Sequence, residues 1–300
     1  MASLDFRAVV PEDSYLFVWA GEGKYVSPRI FLDELKTRLE RGHIDDIEHI
    51  LNRFVRGWKE MLGGQPGVLR SPPSYDETKY FIPASSLKGA VRSRLEYKFR
   101  PVNVGGRSVS RSCYIIQGPP EGSERHLKFW GVDSARPREG PCDATERDEV
   151  CAVCDLFGAP SLASRLNFSD AVLESGGLEE LGDLRIRAFR PGCIFRFSCT
   201  MFNASWEELG LTFMAMELKT KSPLLIGFKK YVYNRVVGAP YRKRYYFGLL
   251  KPSLERLALY DAMMEKREED PREALERAFD ALTHSPYKDY LDFEKGVIRQ

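Results

Sequence analysis

Hydrophobic and polar positions alternate from the start of the chain. Leu4, Phe6, Ala8 and Val10 are separated by single residues, and the apolar run Tyr15-Leu16-Phe17-Val18-Trp19-Ala20 follows. A period of two predicts a strand or hairpin. Between residues 28 and 62 the period lengthens. Ile30, Phe31, Leu35 and Leu39 share one helical face, and beyond Gly42 so do Ile44, Ile47, Ile50, Leu51, Phe54, Val55, Trp58 and Leu62. Pro28 suits a helix start and Gly63-Gly64 a stop, which predicts an inserted helical hairpin. A Gly-, Pro- and Ser-rich loop over 63–78 then leads into the strand-like Lys79-Tyr80-Phe81-Ile82. Pro83 ends that strand, because proline has no N–H for a ladder. Ser85 or Ser86 is the expected N-cap of the next helix, whose apolar face is Leu87, Val91 and Leu95.

Strand patterns return over 165–202. Leu166, Phe168 and Val172 alternate, and Leu184-Arg185-Ile186-Arg187-Ala188-Phe189 and residues 194–202 follow. Ser205 and Glu208 form the capping-box pair of a helix over about 206–218. Leu224-Leu225-Ile226-Gly227 reads as a short strand entering a hairpin, and 254–283 as two polar amphipathic helices split near Asp270-Pro271. The order strand, capped helix, strands, helix, strand predicts an α+β chain with a ferredoxin-like, RNA-recognition-like βαββαβ core. The expected insertions are helical at 28–62 and a metal-binding loop at 100–150, with a helical appendage at 254–300.

The charge of the chain is only +2, but it is segregated. Residues 79–111 hold eight Lys or Arg against one acid, Glu96, and residues 219–251 hold nine and no acid. The second stretch interleaves its cations with Phe228, Tyr231, Tyr233, Tyr241, Tyr245, Tyr246 and Phe247. Cations among aromatics suit single-stranded nucleic acid, with phosphates on the charges and bases on the rings. A twisted hairpin with buried tyrosines would share the composition. At the serine-capped helix start, free backbone N–H groups converge near Lys88, Arg92 and Arg94, an arrangement that suits a phosphate. With 43% hydrophobic residues the chain can bury a core, and no apolar run reaches membrane-spanning length. The N-terminus lacks a signal-peptide core, so a cytoplasmic protein is expected, with cysteines that ligate metal or fill the core.

Cys142, Cys151 and Cys154 stand at C-x8-C-x-x-C spacing. A C-x-x-C turn puts two sulfurs on one side, which predicts a structural zinc site. His126 or Cys113 could supply the fourth ligand, and His126 is favoured because a polar loop histidine has no core role. Cys193 and Cys199 lie in a strand pattern and are expected in the core.

Three stretches carry a family resemblance: Ile82-Pro83-Ala84-Ser85-Ser86-Leu87-Lys88-Gly89-Ala90-Val91-Arg92, Cys151-Ala152-Val153-Cys154-Asp155-Leu156-Phe157-Gly158, and Leu166-Asn167-Phe168-Ser169-Asp170-Ala171. They resemble, in the same order, the I-P-G-S-S-x-K-G-x-x-R, C-x-x-C-x-x-F-G and F-S-D-A motifs of the CRISPR-associated RAMP superfamily. The resemblance implies an RNA-binding subunit of a type III effector complex, with guide RNA, target RNA and other RAMP subunits as partners. The family's target-cleaving subunit carries an aspartate in the loop before the first motif. Residues 63–74 here have no acid, and Asp76 is the nearest. The resemblance therefore implies a non-catalytic subunit. The insertion at 28–62 resembles that of the subunit capping the backbone filament near the guide's 3′ end. A RAMP ribonuclease using Asp76 or His126 is the alternative.

On this reading residues 1–253 are the RAMP domain. Ser85, Ser86 and Lys88 hold guide phosphates, and Arg92 and Arg94 add longer-range charge. Lys229, Lys230, Arg235, Arg242, Lys243 and Arg244 line the RNA path, and Tyr231 or Tyr233 stacks on a base. His126, Cys142, Cys151 and Cys154 hold the zinc.

Overall fold

Ala2, Leu4, Phe6 and Ala8 are buried while the residues between them are partly exposed, so the first alternating stretch folds as a strand with one face inward. A computed structural model describes residues 1–19, 71–75, 79–100, 102–104, 107–109, 112, 142–143, 145, 150–181, 186–220, 222–227, 230, 235–237 and 243–294. At 102–104, 107–109, 235–237 and 243–245 it is the backbone that is described. The helical hairpin expected at 28–62 lies outside these residues.

In chain order the elements are β1 (Ala2–Val9), β2 (Phe81–Ile82), α1 (Ala84–Lys98), β3 (Val102–Val104), β4 (Arg107–Val109), α2 (Ala152–Phe157), β5 (Leu166–Phe168), β6 (Ala171–Ser175), β7 (Leu178–Leu181), β8 (Ile186–Phe189) and β9 (Ile194–Met201). They continue with α3 (Trp206–Ala215), β10 (Leu224–Leu225), β11 (Arg235–Val237), β12 (Lys243–Tyr245), β13 (Leu249–Tyr260), β14 (Lys266–Glu269) and α4 (Pro271–His284). The main sheet runs β10-β13-β1-β9-β6-β2, with β14 beside β13 and β5 beside β9. Its paired strands are antiparallel. α1 lies in the chain between β1 and β6, and α3 between β9 and β13, so each helical connection steps over one strand of the sheet.

Both helices pack on the sheet face carrying Leu4, Phe6, Phe195 and Phe197, and Leu87, Val91 and Leu95 of α1 join that core. α3 carries the predicted capping box: the Ser205 hydroxyl accepts the Glu208 N–H, and the Glu208 carboxylate accepts the Ser205 N–H. Beyond its first turn it is buried on every side, packed on α1 and on α4. Asp270 caps α4 through the Arg272 and Glu273 N–H groups, with Pro271 at the first turn.

The helix expected over 254–269 is instead strand. β13 pairs with β1 along its length and β14 folds back on it. Asp5 faces Arg256 while Phe6 faces Leu254, so Glu255 is an extra residue in a β-bulge. The bulge moves the inward positions from even to odd numbers, from Pro252 to Leu257. That switch produces apolar spacings of three and four, which mimic a helix. The boundary drawn at residue 253 falls inside this strand, and Leu257, Ala258, Ala274, Ala278 and Leu282 belong to the common core. Within the stretch expected to be an irregular loop at 100–150, β3 and β4 form a hairpin.

At Gly210 α3 lies tightly against α4. A Cβ there would lie 2.4 Å from the Ala278 carbonyl oxygen and 2.9 Å from Leu282 Cβ. Gly210→Ala is expected to cost about 1–3 kcal/mol by overpacking, read as a lower denaturant midpoint. An unchanged midpoint would mean that the two helices do not meet this closely.

Candidate nucleic-acid interface and metal centre

The start of α1 is built differently from the serine cap that its sequence suggests. The helix begins at Ala84 with Pro83 at the cap position, and no side chain of its own turn caps it. The Pro83 carbonyl accepts the Ser86 and Leu87 N–H groups at 2.9 and 3.1 Å. The Ala84 N–H donates to Asp170 Oδ1 at 2.7 Å, and the Tyr75 hydroxyl donates to the other carboxylate oxygen. Asp170 follows β5 and belongs to the Phe168-Ser169-Asp170-Ala171 stretch, so two of the three motifs meet in space. A carboxylate favours this end of the helix for the same reason a phosphate would, since both complement the unpaired N–H groups and the dipole. Ser85 is exposed and Ser86 and Lys88 are partly exposed on the first turns. Burial, and then the nearby Arg92, hold the Lys88 ammonium below its ordinary pKa. The expected pair Arg92 and Arg94 does not join them.

Arg94 points inward and is 2% exposed. Its Nε lies 3.1 Å from Glu217 Oε1, and its Nη2 donates to the Pro223 carbonyl at 2.9 Å. Lys98, one turn on, is fully buried with Nζ 3.2 Å from the same Glu217 oxygen. Ala90, Arg94 and Lys98 therefore form a second buried line beside the apolar face. Arg94, expected to add longer-range charge to the RNA site, is instead one of three members of a buried ion-pair cluster.

The basic stretch folds as expected at its described positions. β11 and β12 pair antiparallel, Arg235 opposite Tyr245, Val236 opposite Arg244 and Val237 opposite Lys243. Lys229, Tyr231, Tyr233 and Arg242 lie outside the described residues. Lys230 sits at the hairpin's root, where burial and the Arg94 charge lower its pKa. Gly248 holds the other root. Its carbonyl accepts the Ile226 N–H at 2.9 Å and its N–H donates to the Tyr15 carbonyl at 2.8 Å. The outer face of the main sheet is not a stacking platform on its central strands. Phe6 and Phe197 stack with centroids 5.1 Å apart on the inner side. On the outer side Arg196 pairs with Glu174 and Glu255, and Arg256 with Asp5 and Glu268.

Cys142, Cys151 and Cys154 come together as predicted. Their sulfurs are buried and lie within 4.8 Å of one another. Cys142 Sγ accepts the Cys151 N–H at 3.3 Å, and Cys151 Sγ, capping α2, accepts the Cys154 N–H at 3.4 Å. Cys154 Sγ accepts from Arg92 Nη2 at 3.3 Å. Three buried sulfurs within reach of one another form a donor set that fits a soft or borderline divalent metal, which they would hold as thiolates. His126 and Cys113 lie outside the described residues. Burial pushes the nearby Glu96 carboxyl up to about 7, against the pull of Arg92. Arg165 ties this region to α3. It pairs with both Asp155 and Glu208 and donates to the Asn203 carbonyl at 3.0 Å. Cys193 and Cys199 are core residues, as expected.

Sequence reasoning assigned no role to Tyr75 or Glu217. The signal available for Asp170 was its motif, and Glu217 offered none. No described helix is long and apolar enough to cross a membrane.

A family model described as the RAMP superfamily matches residues 18–285. No curated protein matches the chain. Among solved structures, a crystal structure of Thermofilum pendens Csc2 is similar at 12% identity, over 93% of this chain and 70% of that one, with a TM-score of 0.39.

Proposed function

Because the chain belongs to the RAMP superfamily, and so to the CRISPR-associated proteins that interact with RNA, we propose that it is a non-catalytic, guide-RNA-binding subunit of a type III effector complex. On this reading it works in the cytoplasm beside other RAMP subunits and caps the filament near the guide's 3′ end. The observation that carries the RNA path is the acid-free stretch 219–251, in which 235–237 and 243–245 pair as two antiparallel strands. A basic ribbon with no acid in its own sequence suits a phosphate backbone. Ser85, Ser86 and Lys88, on the first turns of α1, supply a second phosphate position beside the one that Asp170 occupies. The ferredoxin-like description of the sheet is supported by two helical connections that each step over one strand. Zinc is the metal assigned to Cys142, Cys151 and Cys154, with His126 as fourth ligand. When bound, the ion cross-links the loop before α2 to that helix.

The test is single-stranded RNA binding by the purified chain across a salt series. Each phosphate contact on a single strand contributes about −0.7 to the slope of log affinity against log salt. The triple variant Arg242→Ala, Lys243→Ala, Arg244→Ala is expected to bind at least about tenfold more weakly, with the slope shallower by about 2. Lys88→Ala is expected to remove about one contact. Equal binding and slope in all variants would overturn the proposed path. RNA cleavage lost in Asp76→Ala or His126→Ala with binding intact would make the chain a ribonuclease.

A further inference from the structure

We infer that Arg92, the last residue of the motif at α1, serves the cysteine centre rather than RNA, by compensating its charge and positioning Cys154. This rests on the reading of Cys142, Cys151 and Cys154 as metal ligands. Each of the three guanidinium nitrogens has a protein partner. Nε–H points to Glu96 at 2.9 Å, Nη1–H to the Gly158 carbonyl at 2.7 Å, and Nη2–H to Cys154 Sγ at 3.3 Å. Its side chain is 18% exposed. The Gly158 carbonyl belongs to the turn that ends α2, so one planar group grips both the end of the helix that Cys151 caps and the sulfur of Cys154 within it.

The charges require such a group. Three thiolates and one divalent ion leave one negative charge over, and a neutral fourth ligand does not remove it. In a buried site that excess is costly unless a fixed cation meets it. Arg92 is such a cation, its guanidinium shared between Cys154 Sγ and the Glu96 carboxyl that orients it from the next turn of α1. A lysine could keep the charge but could not hold the sulfur, the carbonyl and the carboxylate at once, because it lacks the planar fork.

The experiment uses the full chain and begins with its metal content. Zinc is then timed as it passes from the protein to a colorimetric chelator, in wild type, Arg92→Lys and Arg92→Gln. The Co(II)-substituted proteins are compared by their sulfur-to-metal charge-transfer absorption. Both variants are expected to release zinc about 10–100-fold faster, the range seen when groups supporting metal ligands are lost. The charge-transfer band is expected to move to longer wavelength, because an uncompensated thiolate gives up its electron more easily. The band shift separates an effect on the sulfur from a general loosening of the fold. Release within twofold of wild type and an unmoved band would overturn the role of Arg92. A wild type that binds neither zinc nor Co(II) would instead overturn the metal reading beneath it.

Discussion

Replacing Glu217 by alanine is expected to destabilise the fold by about 3–5 kcal/mol, the cost of leaving buried charges without their partner. Arg94, Lys98 and Glu217 are 2%, 0% and 4% exposed. Both cations approach the same Glu217 oxygen, and the Thr220 hydroxyl donates to the other. Burial pulls the Lys98 pKa down and Glu217 pulls it back up. Without the carboxylate, Lys98 loses its main counter-charge and keeps only the weaker pull of Asp292, and Arg94 cannot shed its proton at all. Glu217 has φ +59, in the left-handed region. Alanine meets the same backbone strain there, so the Glu217→Ala difference reports the charge and not the turn. Chemical denaturation gives the value directly. Arg94→Met, Lys98→Met and Glu217→Met together should recover most of the loss, because an apolar trio needs no counter-ion. A Glu217→Ala cost below about 1 kcal/mol would mean that water reaches the cluster, and Arg94 would again be available to RNA.

Gly248→Val is expected to cost roughly 3–5 kcal/mol and to weaken RNA binding with it. Gly248 has φ +82, and a Cβ there would lie 2.5 Å from Lys230 Cα and 2.6 Å from the Ile226 carbonyl oxygen. Both neighbours are backbone, so the contact cannot be relieved by a rotamer change. Left-handed strain adds about 1–2 kcal/mol and overpacking about 1–3 kcal/mol, and a β-branched residue brings both to the upper end. The segments would part where Ile226 and Tyr15 bond to Gly248, and these are the roots of the basic hairpin. Gly192 is the control, with φ +80 and nothing within 4 Å of the place a Cβ would take. Gly192→Ala should carry the strain alone and leave RNA binding unchanged. Wild-type midpoints and affinity for Gly248→Val would mean that the two roots are not packed together.

The elements legible in the sequence alone are those whose cause is local. The alternation of β1, the Ser205–Glu208 capping box, the Asp270-Pro271 helix start and the gathering of Cys142, Cys151 and Cys154 each depend on residues close to one another in the chain. The antiparallel pairing of the basic hairpin is local in the same sense.

The features that escaped depend on partners far along the chain. Arg94 and Lys98 look like surface cations because nothing near them is acidic except Glu96, and Glu217 stands 119 residues beyond Lys98. Ser85 and Ser86 look like caps, but Asp170, 86 residues after Ala84, reaches the helix end first. Residues 254–260 look helical until β1, from the other end of the chain, pairs with them through a bulge. Local spacing sets which backbone shape a segment prefers and which side chains share a face. Whether a charged face ends in water or in the core is settled by what packs against it, and chain folding alone brings those groups together.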